Sequence, residues 1–328
     1  MLRSLKNQNT GTNRMFGLPQ WVLLLFTMLA TVNAEEMKMP QVNGMIQIWD
    51  QHASDAASPK GLFLKRTELK LSGSIIPDAI GYEFLIDPAS GPGVINLDMI
   101  IHYQLSSLLK ISIGQMKIPL TREGLAPSSQ LDFIDRAMIT AREYGDRRDT
   151  GLLLSGQATI FNYSLGVFNG AGSNTSDSND EKDVAGRVVV QALEGLTLGA
   201  SSYYGSNSHV ASDVADVERF RIGGELVYVY NPFTLKTEYM QGQDDRLDSR
   251  GYYAALTYVL NPKIEFALRY DAWEYDLSAE ESESLITLGT NYRLKGNAAK
   301  IMVNYILHDN GITDTQSNDL LVQFQVEF

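Results

Sequence analysis

Arg219 and Arg221 alternate with Phe220 and Ile222. In an extended chain that spacing puts both guanidinium groups on one face, toward water, and the apolar side chains on the other. A guanidinium presents a planar fork of N–H donors that matches two oxygens of a phosphate or carboxylate, so a wet face bearing such groups can replace part of an oxyanion's hydration. Arg66 keeps the same phase as Glu68 and Lys70, opposite Thr67, Leu69 and Leu71. Other chemistry is sparse. There is no cysteine, which removes disulfides, thiolate ligands and a cysteine nucleophile. No nucleophile motif lies beside His52, His102, His209 or His308, so neither an enzyme nor a metal or cofactor site is expected. With 39 acidic and 27 basic residues the chain is not expected to bind nucleic acid.

The elements that must position these arginines are strands. At the C-terminal end Leu320, Val322, Phe324, Val326 and Phe328 share one face, and Asp319, Gln323, Gln325 and Glu327 the other, with Leu321 breaking the pattern. Lipid on one side and a water-filled lumen on the other would produce this alternation. The pattern recurs in about sixteen segments: 42–50, 62–76, 80–87, 95–105, 108–118, 151–157, 160–169, 184–193, 196–206, 217–230, 233–243, 251–260, 264–273, 284–295, 298–308 and the last ten residues. Short links (77–79, 106–107, 158–159, 194–195, 231–232, 261–263 and 296–297) alternate with long ones. The expectation is an all-β transmembrane antiparallel barrel with short periplasmic turns and long extracellular loops. Such barrels show weak hydropathy because half of each strand faces water.

Residues 1–20 carry Arg3, Lys6 and Arg14 and no acid, and an apolar run of about ten residues follows from Trp21. That run is too short for a bilayer span of roughly twenty residues. With Val32-Asn33-Ala34 behind it, the stretch reads as a signal peptide over 1–34, leaving one barrel domain over 35–328 in the bacterial outer membrane. The aromatic Phe328 resembles the C-terminal signal read by the barrel-assembly machinery. Lipid and lipopolysaccharide are the expected surroundings.

The third long loop, 119–150, is far longer than its neighbours and too apolar for disorder, with Leu120, Leu125, Leu131, Phe133, Ile134, Met138 and Ile139. It is expected to fold into the lumen, and residues 130–142 have some helical spacing. Its basic residues, Arg122, Arg136, Arg142, Arg147 and Arg148, are nearly matched by six acids.

Five stretches carry a family resemblance: FLKRTEL from Phe63, GQMKIP from Gly114, SSQLDFIDR from Ser128, RRDTG from Arg147 and LGVFNG from Leu165. Together they resemble the phosphate-selective porin O and P family. The resemblance implies a sixteen-stranded homotrimeric porin whose inward third loop and basic side chains conduct small anionic or polar solutes, phosphate or polyphosphate among them. The family's paired basic residues fall on Lys65 and Arg66, and its lysine before proline on Lys117. Candidate pore-lining residues are therefore Lys65, Arg66, Lys117, Arg122, Arg136, Arg219 and Arg221. Lys117 shares parity with Ile111 and Ile113, which points it toward lipid unless a bulge near Gly114 resets the phase. Lumen-phase acids nearly balance lumen-phase bases, and the excess acid lies in the external loops. A general or cation-preferring porin, or a structural barrel with no open pore, therefore stands as the alternative.

Overall fold

The computed structural model describes residues 39–54, 60–89, 95–143, 145–177, 180–207, 217–278, 281–311 and 313–328. The expected signal peptide, Tyr144 and parts of the acidic loops lie outside the described residues. Among these residues sixteen strands form the wall: β1 (Gln41–Ala53), β2 (Gly61–Ile76), β3 (Ile80–Asp87), β4 (Ile95–Ser106), β5 (Leu109–Lys117), β6 (Arg148–Gln157), β7 (Phe161–Phe168), β8 (Asp183–Leu193), β9 (Leu196–Asn207), β10 (Val217–Tyr230), β11 (Phe233–Asp244), β12 (Leu247–Asn261), β13 (Ile264–Asp276), β14 (Glu281–Lys295), β15 (Ala299–Asn310) and β16 (Thr315–Glu327). Each pairs with the next, and β1 pairs antiparallel with β16 to close the barrel. At the seam Gly44 and Phe328 exchange backbone hydrogen bonds of 2.8 and 2.9 Å. A Cβ at Gly44 would lie 2.4 Å from the tip of the Phe328 ring, so a larger residue there would displace that ring.

Burial is inverted relative to a water-soluble protein. On β13, Phe266, Leu268 and Tyr270 are exposed outside while Glu265, Arg269 and Asp271 are buried inside. An apolar outer band around a polar interior is stable when lipid covers the outside.

The interior is occupied by the connection between β5 and β6, residues 118–147, called here the third loop. It holds two short helices, α1 (Arg122–Leu125) and α2 (Met138–Arg142), and a 3-10 turn at Ser128–Gln130. The helical spacing expected over 130–142 is realised only in its last five residues. From Leu131 to Arg136 the backbone groups instead bond to the wall, which competes with a helical ladder.

Candidate functional site

Three apolar clusters and a set of polar contacts fix the third loop against one side of the barrel. Ile118 and Leu120 pack with Phe168, Ala185, Tyr203 and Met240, on β7, β8, β9 and β11. Phe133, Ala137 and Ile139 pack on Tyr253, Ala255 and Ala267, on β12 and β13. Ile134 packs with Trp49, Met302 and Leu321, on β1, β15 and β16. Leu321, the apolar residue that breaks the alternation of β16, thus faces inward and is covered by the loop. Burying side chains of this size contributes about 1.5–3 kcal/mol each.

Between these clusters the wall satisfies the loop's backbone. The Glu238 carboxylate accepts from the N–H groups of Arg122 (2.7 Å) and Glu123 (2.9 Å). Asn304 accepts from the Ile134 N–H at 2.8 Å, and Asp271 from the Met138 N–H at 3.1 Å. In the other direction Asn291, Lys300, Gln325 and Gln47 donate to the carbonyls of Asp132, Leu131, Ser129 and Ser128. Most of the inward polar residues of β11, β13–β16 and β1 therefore hold the loop rather than line open water. Burial raises the carboxyl pKa of Glu123, with Arg269 opposing it, and that of Glu143, with Arg221 opposing it.

What stays open is the side toward β2–β6. A cavity of about 540 Å³ lies there between Leu125, Pro127, Ser128 and Ser129 of the loop and Glu68, Lys70, Glu83, Asp98, Lys117 and Arg148 of the wall. Lys70 pairs with Glu83 at 2.7 Å, and Arg148 holds Asp98 through both arms of its fork, Nε–Oδ1 at 2.8 Å and the terminal nitrogen to Oδ2 at 3.3 Å.

Of the seven sequence candidates Lys117 lines this gap, and Arg136, Arg66 and Lys65 are neighbouring cations near it. Between β1 and β2 the register slips at Gln47, so that Arg66 faces Gln47 and Leu64 faces Ile48, with Lys65 as the extra residue. A bulge of this kind lets consecutive side chains share a face. Lys65 places its ammonium 4.2 Å from the centre of the inward Trp49 ring, and Arg66 donates to the Gln47 side chain at 2.8 Å. Alternation alone assigned only Arg66 to the lumen. Arg136 turns back on its own loop, donating to the carbonyls of Glu123 and Ala126, the latter at 2.9 Å. Lys117 donates to the carbonyls of Gly124 and Ala126, so the two cations share the Ala126 oxygen.

The lipid-facing expectation for Lys117 is therefore corrected. The β4–β5 ladder keeps its register through Gly114, but that glycine has φ +129°, a twist that lets the end of β5 turn inward. Lys117, Arg136, Arg148 and Arg66 lie close enough for their charges to repel. Arg148 belongs to the RRDTG stretch and stands opposite Lys117 in the ladder, which is the signal that could have added it to the candidates.

The remaining three candidates sit elsewhere. Arg122 is held near Tyr253, Glu238 and Asp132. Arg219 lies 3.4 Å from Asp244. The expectation that Arg221 faces water is overturned: it is 1% exposed, bridging Asp244 at 2.8 Å and Glu143 at 2.7 Å, because the end of the third loop covers it.

A family model for phosphate-selective porin O and P matches residues 49–219 and 210–328. The chain belongs to this family. Porin membership accords with the closed barrel and places the chain among outer-membrane channels. A curated relative, an uncharacterized protein of Aquifex aeolicus (strain VF5), is 24% identical over 266 residues, covering 66% of this porin and 64% of that protein. Among solved structures, the trimer form of OmpT, an outer membrane protein of Vibrio cholerae, is 13% identical with a TM-score of 0.66, over 88% of this chain and 99% of that one. The outer membrane channel DcaP of Acinetobacter baumannii is 12% identical with a TM-score of 0.66, over 88% and 97%. OprB of Pseudomonas putida is 10% identical with a TM-score of 0.62, over 94% and 97%. At these identities the likeness is one of fold.

Proposed function

We propose that this porin passes small hydrophilic solutes, with a preference for anions such as phosphate, through the gap between the third loop and the β2–β6 wall. The observation that carries the reading is that Lys117 and Arg148 line that gap, with Arg136 and Arg66 near enough to add their charge and Lys65 beside Arg66. Cations lining a narrow low-dielectric passage raise the local concentration of counter-ions and lower the barrier to their entry. The chain acts as a homotrimer, in keeping with its family and with the trimer form of OmpT. It is exported with residues 1–34 removed.

The purified mature chain in a planar bilayer, under a potassium chloride gradient, gives the test. A zero-current potential of anionic sign, with a chloride current blocked by added phosphate, is expected. A cationic sign without block would support the second reading, a general porin. That reading draws on the wall's ion pairs, since Lys70, Arg187, Arg269 and Arg293 each face a carboxylate within 3 Å.

A further inference from the structure

On the outer face, away from the lumen, the ladders of β11–β14 align side chains in rows. Ser249, Gly251 and Tyr253 are buried, so Arg250 and Tyr252 between them point outward. At the extracellular end Gln241, Arg250, Glu274 and Ser282 stand opposite one another across four strands. Glu274 holds one terminal nitrogen of Arg250 at 2.8 Å and fixes the guanidinium at the rim, where its side chain is 46% exposed. The next outward row toward the membrane begins with Tyr239 and Tyr252, both near enough to Arg250 to feel its charge. Tyr252 in turn lies against Tyr270, their ring centres 6.2 Å apart. Further down the same strands Leu256, Leu268 and Leu288 border an outward-facing depression of about 490 Å³, together with Phe266, Val303 and Tyr305.

Tyrosines with a cation above them mark the level where hydrocarbon gives way to lipid head groups. From Glu274 to Leu268 is about 20 Å along β13 and, at the ~40° tilt of barrel strands, about 15 Å of depth, half of a ~30 Å hydrocarbon core. The rim cation and the leucine-lined depression are therefore one leaflet apart.

We propose that this face binds one outer-leaflet lipid with a phosphorylated sugar head group: a phosphate accepts from Arg250 and the tyrosine hydroxyls, and one acyl chain runs down β12 and β13 into the depression. A guanidinium already fixed by a carboxylate loses little further freedom when it donates to a phosphate oxygen. A second copy of the chain is the poorer occupant. It would have to bury the Arg250–Glu274 pair, and the cores of protein interfaces are depleted of charge, whereas a lipid head group meets the pair at the level of water. The site is separate from the lumen and independent of conduction.

The test is native mass spectrometry of the full mature barrel in detergent, titrated separately with lipid A, lipid A stripped of its phosphates, and phosphatidylglycerol. The parent is expected to retain one lipid A per chain, and Arg250→Gln to weaken that retention about tenfold, the factor that one charge-assisted hydrogen bond is worth. Stripped lipid A should bind parent and Arg250→Gln equally weakly. Val303→Trp, which fills the depression, should weaken both forms of lipid A alike. Tyr252→Phe removes one hydroxyl and keeps the ring; it serves where the glutamine variant does not fold, with a severalfold loss expected. Bilayer conductance of Arg250→Gln is expected to match the parent's. Retention of lipid A that is unchanged in Arg250→Gln would overturn the site. Phosphatidylglycerol held as tightly, with the same dependence on Arg250, would overturn the glycolipid assignment in favour of any phosphate head group. Loss of associated copies from the Arg250→Gln spectrum with lipid binding intact would instead make this face a contact between chains.

Discussion

The carboxylate of Glu143, on the third loop, lies 2.7 Å from the Nε of Arg221 on β10, and neither side chain is more than 2% exposed. Glu143 also accepts from Ser249 at 2.7 Å and from the Trp273 indole at 2.9 Å. Replacing Arg221 by methionine leaves a buried carboxylate without its counter-charge, at a cost of about 3–5 kcal/mol. The expected outcome is a folded barrel whose third loop is cut faster by protease and whose conductance is larger and noisier than the parent's.

The same carboxylates set the pH response. Burial raises the pKa of Glu123 and Glu143 above the ordinary 4.5, and release of the loop would return them to that value. Protons then bind the docked form more tightly than the released one. Their contribution to docking is complete below the ordinary value and is lost as pH rises through the raised ones. Acidification from neutral pH toward the ordinary carboxylate value is expected to slow protease cutting within 118–147, and faster cutting on acidification would contradict this assignment.

How much of this was legible beforehand depended on what alternation can encode. Period-two patterning located all sixteen strands, because lipid outside and polar groups inside apply to every strand alike. It could not show that Lys65 and Lys117 turn inward, since a bulge and a positive-φ glycine break the period locally. Nor could it separate lumen polar groups that meet water from those that hold the loop: Arg66 on β2 and Arg221 on β10 read the same in the pattern, and only the covering loop distinguishes them. In the wall, Leu321 was the trace of that loop, an apolar residue on the wet face.

Gly114 offers a direct check on the inward turn of β5. A Cβ there would sit 2.0 Å from the Met99 carbonyl oxygen, a backbone atom, in a conformation that side-chain-bearing residues rarely adopt. Gly114→Val is expected to prevent formation of the heat-modifiable barrel band on electrophoresis, whereas the same change at the unobstructed Gly186, on the outer face of β8, should be tolerated.

Asn304 isolates one polar tether. Its oxygen is the partner of the buried Ile134 N–H, so Asn304→Leu leaves that donor unsatisfied at a cost of roughly 1–3 kcal/mol. Denaturant unfolding monitored by tryptophan fluorescence should register that loss, since Trp49 lies in the adjoining cluster.

Charge removal separates the two groups of arginines. Lys65→Gln and Arg66→Gln are each expected to lower the anion-to-cation permeability ratio severalfold, as loss of a lumen charge should. Arg219→Gln, on the opposite wall beside Asp244, should leave the ratio within experimental scatter. Equal effects at all three positions would argue that the gap beside β2–β6 is not the route.

The cluster of Trp49, Ile134, Met302 and Leu321 draws on both ends of the barrel sequence and on the loop between them. Such a pocket exists only once the first and last strands have met. The third loop therefore lacks its complete seat until the seam closes, and closure of the barrel and full docking of the loop are coupled.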